Sequence, residues 1–152
     1  MYGDKPLVSL ITVSFNSEKT IHDTIESILM QTYEKIELSK DNTVSITKSY
    51  EEKFKDKGFT LKIISEKDKG LYDAMNKGVT MATGEIVGIL NSDDFYTNEL
   101  VIEKVVSKMQ EEKADCLYAD LEFVDEDETD KIVRTWRAKR GDFRLGWNPP
   151  HP

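Results

Sequence analysis

Hydrophobic residues in this chain occur either in short dense runs or in stripes with one member every three or four positions. Residues 7–15 (LVSLITVSF) form a dense run rich in β-branched side chains, which predicts a mostly buried strand that ends at Asn16 and Ser17. Between residues 18 and 32, isoleucine and leucine recur at helical spacing, which predicts a helix with one apolar face. The Ser17 hydroxyl is expected to cap that helix by accepting a free backbone amide.

The same alternation of strands and helices continues along the rest of the chain. Dense runs predict strands at 35–38, 59–65 and 85–90, and stripes predict helices over 44–57, 71–82 and from Thr97 onwards. Residues 114–124 alternate between apolar and polar positions, and we expect residues 131–138 to pair with them around an acidic turn at 125–130. This order of elements predicts an α/β sandwich with a mostly parallel sheet.

Composition narrows the classes of function. The chain has 152 residues, of which 33% are charged, and its net charge is −8. This acidic balance argues against nucleic acid as a partner, because such binding depends on clustered Lys and Arg. Cys116 is the only cysteine, which excludes an internal disulfide framework, and it is expected to be a small core residue of a strand. Without a signal peptide or an apolar run of about 20 residues, we expect a soluble cytoplasmic protein.

The polar residues that follow the predicted strands are the candidates for chemistry, since ligands of open α/β sheets bind beyond the carboxyl ends of the strands. The fourth strand is followed by Asn91, Ser92, Asp93 and Asp94. Two adjacent carboxylates repel each other, and a hard cation such as Mg²⁺ or Mn²⁺ would relieve that repulsion. The alternative is that one of the aspartates simply caps the next helix. The chain has neither a Walker A loop nor a Gly-x-Gly-x-x-Gly motif after its first strand.

Several ordered motifs together resemble the family-2 glycosyltransferases. The opening at 7–16 with Gln-Thr-Tyr at 31–33, the central stretch DKGLYDAMNKG at 68–78, and the passage from ATGE at 82–85 to LNSDD at 90–94 all match that family. The resemblance covers nearly the whole chain. It implies a GT-A fold, in which a nucleotide-sugar binds above a Rossmann-like sheet, and an acidic motif of the Asp-x-Asp type that binds a metal ion.

The resemblance also implies roles for individual residues. Asp94 is expected to bind Mn²⁺ or Mg²⁺, with Asp93 beside it and near the ribose, while the backbone of Val13 and the ring of Phe15 contact the nucleoside. Lys69 reaches the phosphates or is simply solvated, and Asp73 and Asn76 either face the donor or serve in capping and packing. The nucleotide-sugar residues are therefore predicted to be Val13, Phe15, Asn16, Lys69, Asp73, Asn76, Ser92 and Asp93.

Two departures from the family pattern concern the second strand and the catalytic base. The predicted strand at 35–38 is short and lacks the base-reading aspartate, so we hypothesise that several residues are missing between Leu38 and Ser39. We expect a nucleotide-sugar-binding domain at 1–138, followed at 139–152 by the start of an acceptor-side segment that the chain does not complete. The family's base lies further downstream, which leaves Asp120 and His151 as weak candidates for catalysis.

The function expected from these residues is metal-dependent transfer of a sugar, with inversion, from a nucleoside-diphosphate sugar to a glycan or a lipid-linked acceptor. A sugar nucleotidyltransferase is the alternative enzyme, and a receiver-like or flavodoxin-like module is the non-enzymatic alternative. A basic patch is expected either to contact the donor pyrophosphate, a lipid-phosphate acceptor or an anionic membrane surface, or to form a solvated strand face that balances nearby acids. Its members are Arg134, Arg137, Lys139, Arg140 and Arg144.

Overall fold

A computed structural model describes residues 5–41, 44–65 and 69–138 of the chain, with residues 38–41 and 44 described by their backbone. The strands are β1 (Val8–Thr12), β2 (Ile36–Asp41), β3 (Thr60–Ile64), β4 (Ile86–Ile89), β5 (Leu121–Val124) and β6 (Ile132–Trp136). The helices are α1 (Ile21–Leu29), α2 (Val44–Ser49), α3 (Glu51–Asp56), α4 (Leu71–Met81) and α5 (Val101–Glu112). The predicted α/β alternation is confirmed.

The first four strands form one parallel sheet in the order β3-β2-β1-β4. All five residues of β1 are buried, including Ser9 and Thr12, as is typical of an inner strand of a parallel sheet. Strand β1 therefore lies between β2 and β4, and its carboxyl end lies beside the carboxyl end of β4. This adjacency places the loops that follow β1 and β4 at the same edge of the sheet.

Helix α4 packs closely against β1 through a glycine. A Cβ atom at Gly78 would overlap the side chain of Ile11, so this position requires the smallest residue. Ala74, one turn earlier, is buried in the same cluster as Ile11 and Val13. The start of α4 is thereby held close to the end of β1.

Strand β2 is longer than the sequence indicates. It continues to Asp41, with Ser39 paired to Ile11 of β1 and to Lys62 of β3, so the prediction of a strand that ends at Leu38 is wrong. Because β2 runs through Leu38 and Ser39 to Asp41, its length gives no reason to expect missing residues between them. The helix predicted over 44–57 is divided at Tyr50 into α2 and α3. Gly58, at φ 75°, ends α3 as expected.

The chain divides into two compact units, Met1–Lys113 and Ala114–Pro152. In the described part of the second unit, β5 and β6 form the predicted antiparallel hairpin, with Leu121 opposite Trp136. The predicted strand from residue 114 begins only at Leu121, and Cys116 is exposed outside it, so its assignment to the core is wrong. The segment 139–152, predicted to begin an acceptor-side region, lies outside the described residues.

Among the described residues, no helix combines the length and hydrophobicity that crossing a membrane requires.

Candidate functional site

The candidate site lies where the loops after β1 and β4 meet. The Leu90 backbone N–H donates to the Ile11 carbonyl at 3.0 Å, which extends the strand pairing beyond β4. Just past this point, the hydroxyl oxygens of Ser17 and Ser92 are 2.6 Å apart, and the Thr20 hydroxyl donates to the Ser92 carbonyl at 2.8 Å. The structure thus brings together the two loops in which the sequence predicts nucleotide-sugar and metal ligands.

The first of these loops turns sharply at Asn16. Its φ of 52° is left-handed, a conformation that asparagine tolerates better than most residues. The Val13 side chain is buried against Ile11 and Ala74, so it faces the core and not the loop surface. The Phe15 ring, in contrast, is 79% exposed beside the end of β1. This arrangement is compatible with the predicted roles of the Val13 backbone and the Phe15 ring.

Ser17 does not cap helix α1 with its side chain. The backbone N–H groups of Thr20 and Ile21 donate to the Ser17 carbonyl instead. Its hydroxyl donates to the Phe15 carbonyl at 3.2 Å and contacts Ser92. The sequence-based capping role is therefore wrong, and the Ser17 side chain joins the two loops. The Ser92 hydroxyl is buried and engaged in the same contact.

The two aspartates after β4 lie in different environments. Asp93 is exposed, whereas Asp94 is partly buried. Burial, followed by the negative charge of Asp93, raises the pKa of Asp94 to about 6, even though hydrogen bonds from Asn91 favour its charged form. The pKa of a carboxyl group rises in this way when its negative charge is poorly compensated. A cation bound beside Asp94 would therefore stabilise the ionised form.

The donor set fits a divalent cation that is shared with a ligand. Within the described residues, no three His, Cys, Asp or Glu side chains are grouped so as to hold a metal by themselves. Asp93 and Asp94 supply hard carboxylate oxygens, and Mg²⁺ characteristically uses one or two carboxylates together with waters and substrate phosphates. The chemistry of this pair therefore suits Mn²⁺ or Mg²⁺ in the presence of a diphosphate better than an all-protein site.

Of the site residues predicted around α4, Asp73 makes contacts within the protein, whereas Lys69 and Asn76 are exposed. The Asp73 carboxylate accepts the Lys69 backbone N–H at 3.0 Å and lies 3.5 Å from the Lys77 ammonium, which supports the capping alternative for Asp73. The side chains of Lys69 and Asn76 are exposed. Gly70 precedes the helix at φ 124°, a conformation that L side chains rarely adopt. The predicted binding roles of Lys69, Asp73 and Asn76 stay predictions.

Two features of the site were not assigned roles from the sequence. Asn91 hydrogen-bonds to Asp94, a contact that only the turn after β4 makes possible. Tyr72, at the start of α4, is 79% exposed although it is a large aromatic residue. The helix predicted at 71–82 already places Tyr72 one turn before Met75. Met75 packs against the cluster of Ile11, Val13 and Ala74.

The predicted catalytic candidates lie in the second unit. The Asp120 carboxylate accepts the Ala138 backbone N–H and the Arg137 guanidinium N–H, each at 2.7 Å. These hydrogen bonds, that of Ala138 first, lower the pKa of Asp120. His151 lies outside the described residues, as do Lys139, Arg140 and Arg144 of the predicted basic patch. The patch residue Arg134 makes cation–π contacts with Phe123 and Trp136, with its guanidinium carbon 5.0 Å and 5.8 Å from the two ring centroids.

Relatives of this chain align with most of its length at about one-third sequence identity. It is 33% identical over 124 residues to the Escherichia coli protein named UDP-Glc:alpha-D-GlcNAc-diphosphoundecaprenol beta-1,3-glucosyltransferase WfgD, covering 80% of this chain and 48% of that relative. It is 34% identical over 113 residues to TuaG of Bacillus subtilis, a putative teichuronic acid biosynthesis glycosyltransferase, covering 70% and 43%. The chain thus spans less than half the length of these relatives.

Solved structures share the fold. TarS 1-349 of Staphylococcus aureus in complex with UDP is 25% identical, has a TM-score of 0.58, and matches 72% of this chain and 33% of its own. The mannosyltransferase PcManGT of Pyrobaculum calidifontis, solved with GDP-Man and Mn²⁺, is 23% identical with a TM-score of 0.60, and the match covers 79% and 36%. The second likeness concerns the fold alone.

A family model described as glycosyl transferase family 2 matches residues 9–151, which is nearly the whole chain. The parallel sheet, the acidic turn after β4 and the named relatives all agree with that match. The chain belongs to glycosyltransferase family 2 and has the α/β GT-A fold that its motifs predict.

Proposed function

We propose that this chain binds a nucleoside-diphosphate sugar at the carboxyl ends of β1 and β4, and that it transfers the sugar, in the presence of Mn²⁺ or Mg²⁺, to a glycan or a lipid-linked acceptor with inversion. The observation that carries the proposal is the hydrogen bonding of Ser92 to Ser17 and Thr20. It holds the loop of Asp93 and Asp94 against the loop of Val13, Phe15 and Asn16.

The donor is expected to lie across these two loops. The exposed Phe15 ring offers an apolar face to the nucleoside, and the backbone of the buried Val13 offers N–H and C=O groups. Asp93, which is exposed, would face the ribose, and Asp94 would hold the cation. A bound divalent cation would neutralise the charge that develops on the diphosphate leaving group.

The transfer itself exchanges one bond for another at the anomeric carbon. The bond between that carbon and the diphosphate oxygen breaks, and the acceptor hydroxyl oxygen forms the new bond from the opposite face. The hydroxyl proton passes to a general base. The acceptor class is supported by WfgD, whose name specifies a diphosphoundecaprenol-linked acceptor. A lipid-linked acceptor would bring the chain to the inner face of the membrane, and we infer a cytoplasmic location on that ground.

Calorimetric titration tests the donor site directly. UDP and GDP are titrated with Mn²⁺ and with EDTA, using the original chain, Asp94→Asn and a matched control, Asp127→Asn, which replaces an exposed aspartate of the hairpin turn. We expect Mn²⁺ to increase the affinity for one of the two nucleotides by about tenfold or more, which is 1.4 kcal/mol. Asp94→Asn should remove that increase, and Asp127→Asn should retain it.

Two results would overturn the proposal. One is the absence of any Mn²⁺-dependent binding of either nucleotide, and the other is an equal effect of both substitutions. If the titrations succeed, a panel of nucleotide-sugars assayed for donor hydrolysis and for transfer to lipid-linked and free glycans identifies the substrates.

A further inference from the structure

The acidic segment, residues 92–98, contains the two aspartates that follow β4 and is held at both ends by residues that flank helix α1. At its start, the hydroxyl of Thr20, the N-cap residue of α1, donates to the Ser92 carbonyl at 2.8 Å. At its other end, the side-chain amide of Gln31, just beyond the last turn of α1, donates to the Asn98 carbonyl at 2.9 Å. Both ends of the segment are thereby attached to the same helix.

Gln31 is buried, and both its side-chain nitrogen and its side-chain oxygen are hydrogen-bonded. The nitrogen donates to the Ser27 carbonyl at 2.9 Å as well as to Asn98. The oxygen accepts the backbone N–H of Ile102 at 3.1 Å. Ile102 lies in the first turn of α5, where backbone N–H groups have no partner within the helix. Gln31 therefore fixes both the end of the acidic segment and the start of the helix that follows it.

Thr32 attaches the residues beyond the acidic segment by separate contacts. Its backbone N–H donates to the Glu99 carbonyl at 2.9 Å, and its hydroxyl oxygen lies 3.2 Å from the same carbonyl oxygen and 2.8 Å from a carboxylate oxygen of Glu103. Replacing the Gln31 side chain should therefore leave α5 attached to the end of α1. What the replacement removes is the hydrogen bond that fixes Asn98, so the acidic segment gains slack.

The acidic segment crosses from one end of α1 to the other in a largely extended form. A helix rises by about 16 Å from residue 20 to residue 31. The chain from residue 92 to residue 98 reaches at most about 20 Å when it is fully extended. The hydrogen-bonded turn that the Asp94 backbone N–H closes shortens this reach. The two attachments therefore leave the aspartates between them little freedom to move along α1.

We propose that Gln31 is a positioning residue, which acts on the cation site by holding the end of the acidic segment. This inference rests on the proposed function of the site. Asp93 and Asp94 lie within the segment, so loosening one of its two attachments is expected to make the position of their carboxylates less defined. A residue that only supports the fold would change stability without a selective effect on cation-dependent binding.

Gln31→Met tests the proposal, because methionine is similar in size and has neither the donor nor the acceptor. The matched control is Tyr33→Phe, which removes another buried side-chain hydrogen bond of the same loop, from the Tyr33 hydroxyl to the Pro6 carbonyl. Hydrogen exchange of the backbone amides at 93–97, including the hydrogen-bonded Asp94 N–H, is measured without ligand. We expect exchange there to be about tenfold faster in Gln31→Met and unchanged in Tyr33→Phe.

Calorimetric titration of UDP and GDP, with Mn²⁺ and with EDTA, measures the effect on the cation site. Gln31→Met should reduce the Mn²⁺-dependent gain in affinity by about threefold to tenfold with unchanged affinity in EDTA, and Tyr33→Phe should retain the gain. In the Asp94→Asn background, Gln31→Met should have no further effect on the gain, because the group it positions is already altered. Gln31→Glu, which keeps an acceptor for Ile102 and loses the donor to Asn98, is measured in the same way if methionine prevents folding.

Three results would overturn the role of Gln31. They are full retention of the Mn²⁺-dependent gain in Gln31→Met, an equal loss of that gain in Tyr33→Phe, and unchanged exchange at 93–97. If the original chain shows no Mn²⁺-dependent nucleotide binding, the proposed function fails and the positioning role fails with it. A normal original chain with an unaffected variant overturns only the role of Gln31.

Discussion

The hydroxyl oxygens of Ser17 and Ser92 lie 2.6 Å apart, although the two residues are 75 positions apart in the sequence. Because Ser17 follows β1 and Ser92 follows β4, their hydrogen bond joins the two loops of the candidate site at their bases. The second bond, from Thr20 to the Ser92 carbonyl, reaches the same loop from the start of α1. The site is therefore held by side-chain hydrogen bonds in addition to the strand pairing of β1 and β4.

Removing either serine hydroxyl should destabilise the fold by the value of one hydrogen bond. We expect Ser17→Ala and Ser92→Ala each to lower the free energy of unfolding by about 0.5–1.5 kcal/mol, and the double variant to lose less than the sum, because both remove the same contact. Urea denaturation measures all three. Ser107→Ala, at an exposed position of α5, is the control and should change little. Strictly additive losses would show that the two hydroxyls act independently.

A second prediction concerns Gly78, where α4 approaches β1 closely. Alanine normally stabilises a helix interior relative to glycine by about 0.5–1 kcal/mol. Here the added Cβ would overlap the Ile11 side chain, so we expect Gly78→Ala to lower the free energy of unfolding by about 1–3 kcal/mol instead. Thermal or urea unfolding measures the change.

The Ile11 side chain provides the control for this prediction. In the background of Ile11→Ala, which is itself destabilising, the further cost of Gly78→Ala should be smaller, because the atoms it meets are gone. An equal cost in both backgrounds would mean that the overlap does not decide the preference for glycine at position 78.

The extent to which the fold could be predicted depended on whether each segment carries its own pattern. Strand β1 and helix α1 have dense or periodic apolar residues, and both are found where the sequence predicts them. Ser39, Lys40 and Asp41 lack such a pattern. Ser39 and Lys40 are strand because they pair with both β1 and β3, and Asp41 continues the pairing with β3. Residues 114–120 show the opposite case. They alternate like a strand, but the pairing of β5 with β6 begins only at Leu121.

The candidate site shows the same limit. The acids after β4 were recognisable because adjacent carboxylates at a strand end have few explanations and because family motifs surround them. The contact between Ser17 and Ser92 was not recognisable, because it is long-range, and the hydrogen bond from the Asp94 N–H to the Asn91 carbonyl requires the conformation of the turn. A serine before a helix is locally indistinguishable from a capping residue.

A third prediction concerns Glu37, a carboxylate buried within the sheet. One of its oxygens accepts from the Ser9 hydroxyl and the Thr83 backbone N–H, and the other accepts from the Thr83 hydroxyl and the Lys62 ammonium, the last two at 2.7 Å. Burial acts to raise the pKa of Glu37, but the hydrogen bonds from Lys62, Thr83 and Ser9 outweigh it and lower the pKa below its ordinary value.

A lowered pKa in the folded state gives stability that is present above the pKa of the unfolded state and is lost as the pH falls through the folded value. We expect Glu37→Gln to lower the free energy of unfolding by about 1–3 kcal/mol at pH 7. The difference between the two proteins should shrink as the pH falls below about 4, where an unfolded glutamate begins to be protonated. Urea unfolding across this pH range tests the effect. Glu34→Gln, which removes an exposed partner of Lys5, is the control with a small expected effect, and a pH-independent difference at Glu37 would contradict the linkage.

The last prediction distinguishes two roles for Asp120 in sugar transfer by the complete enzyme. As a general base, Asp120 would need a pKa near the working pH, and its removal would cost about 10²–10⁴-fold in rate. Its carboxylate instead binds the Ala138 N–H and the Arg137 guanidinium, which lower its pKa and make it a weaker base. We therefore expect Asp120→Asn and Arg137→Gln to reduce kcat by similar, small factors, because each removes the same ion pair. A loss of about 100-fold or more in Asp120→Asn alone, with Arg137→Gln close to the original rate, would instead identify Asp120 as the base.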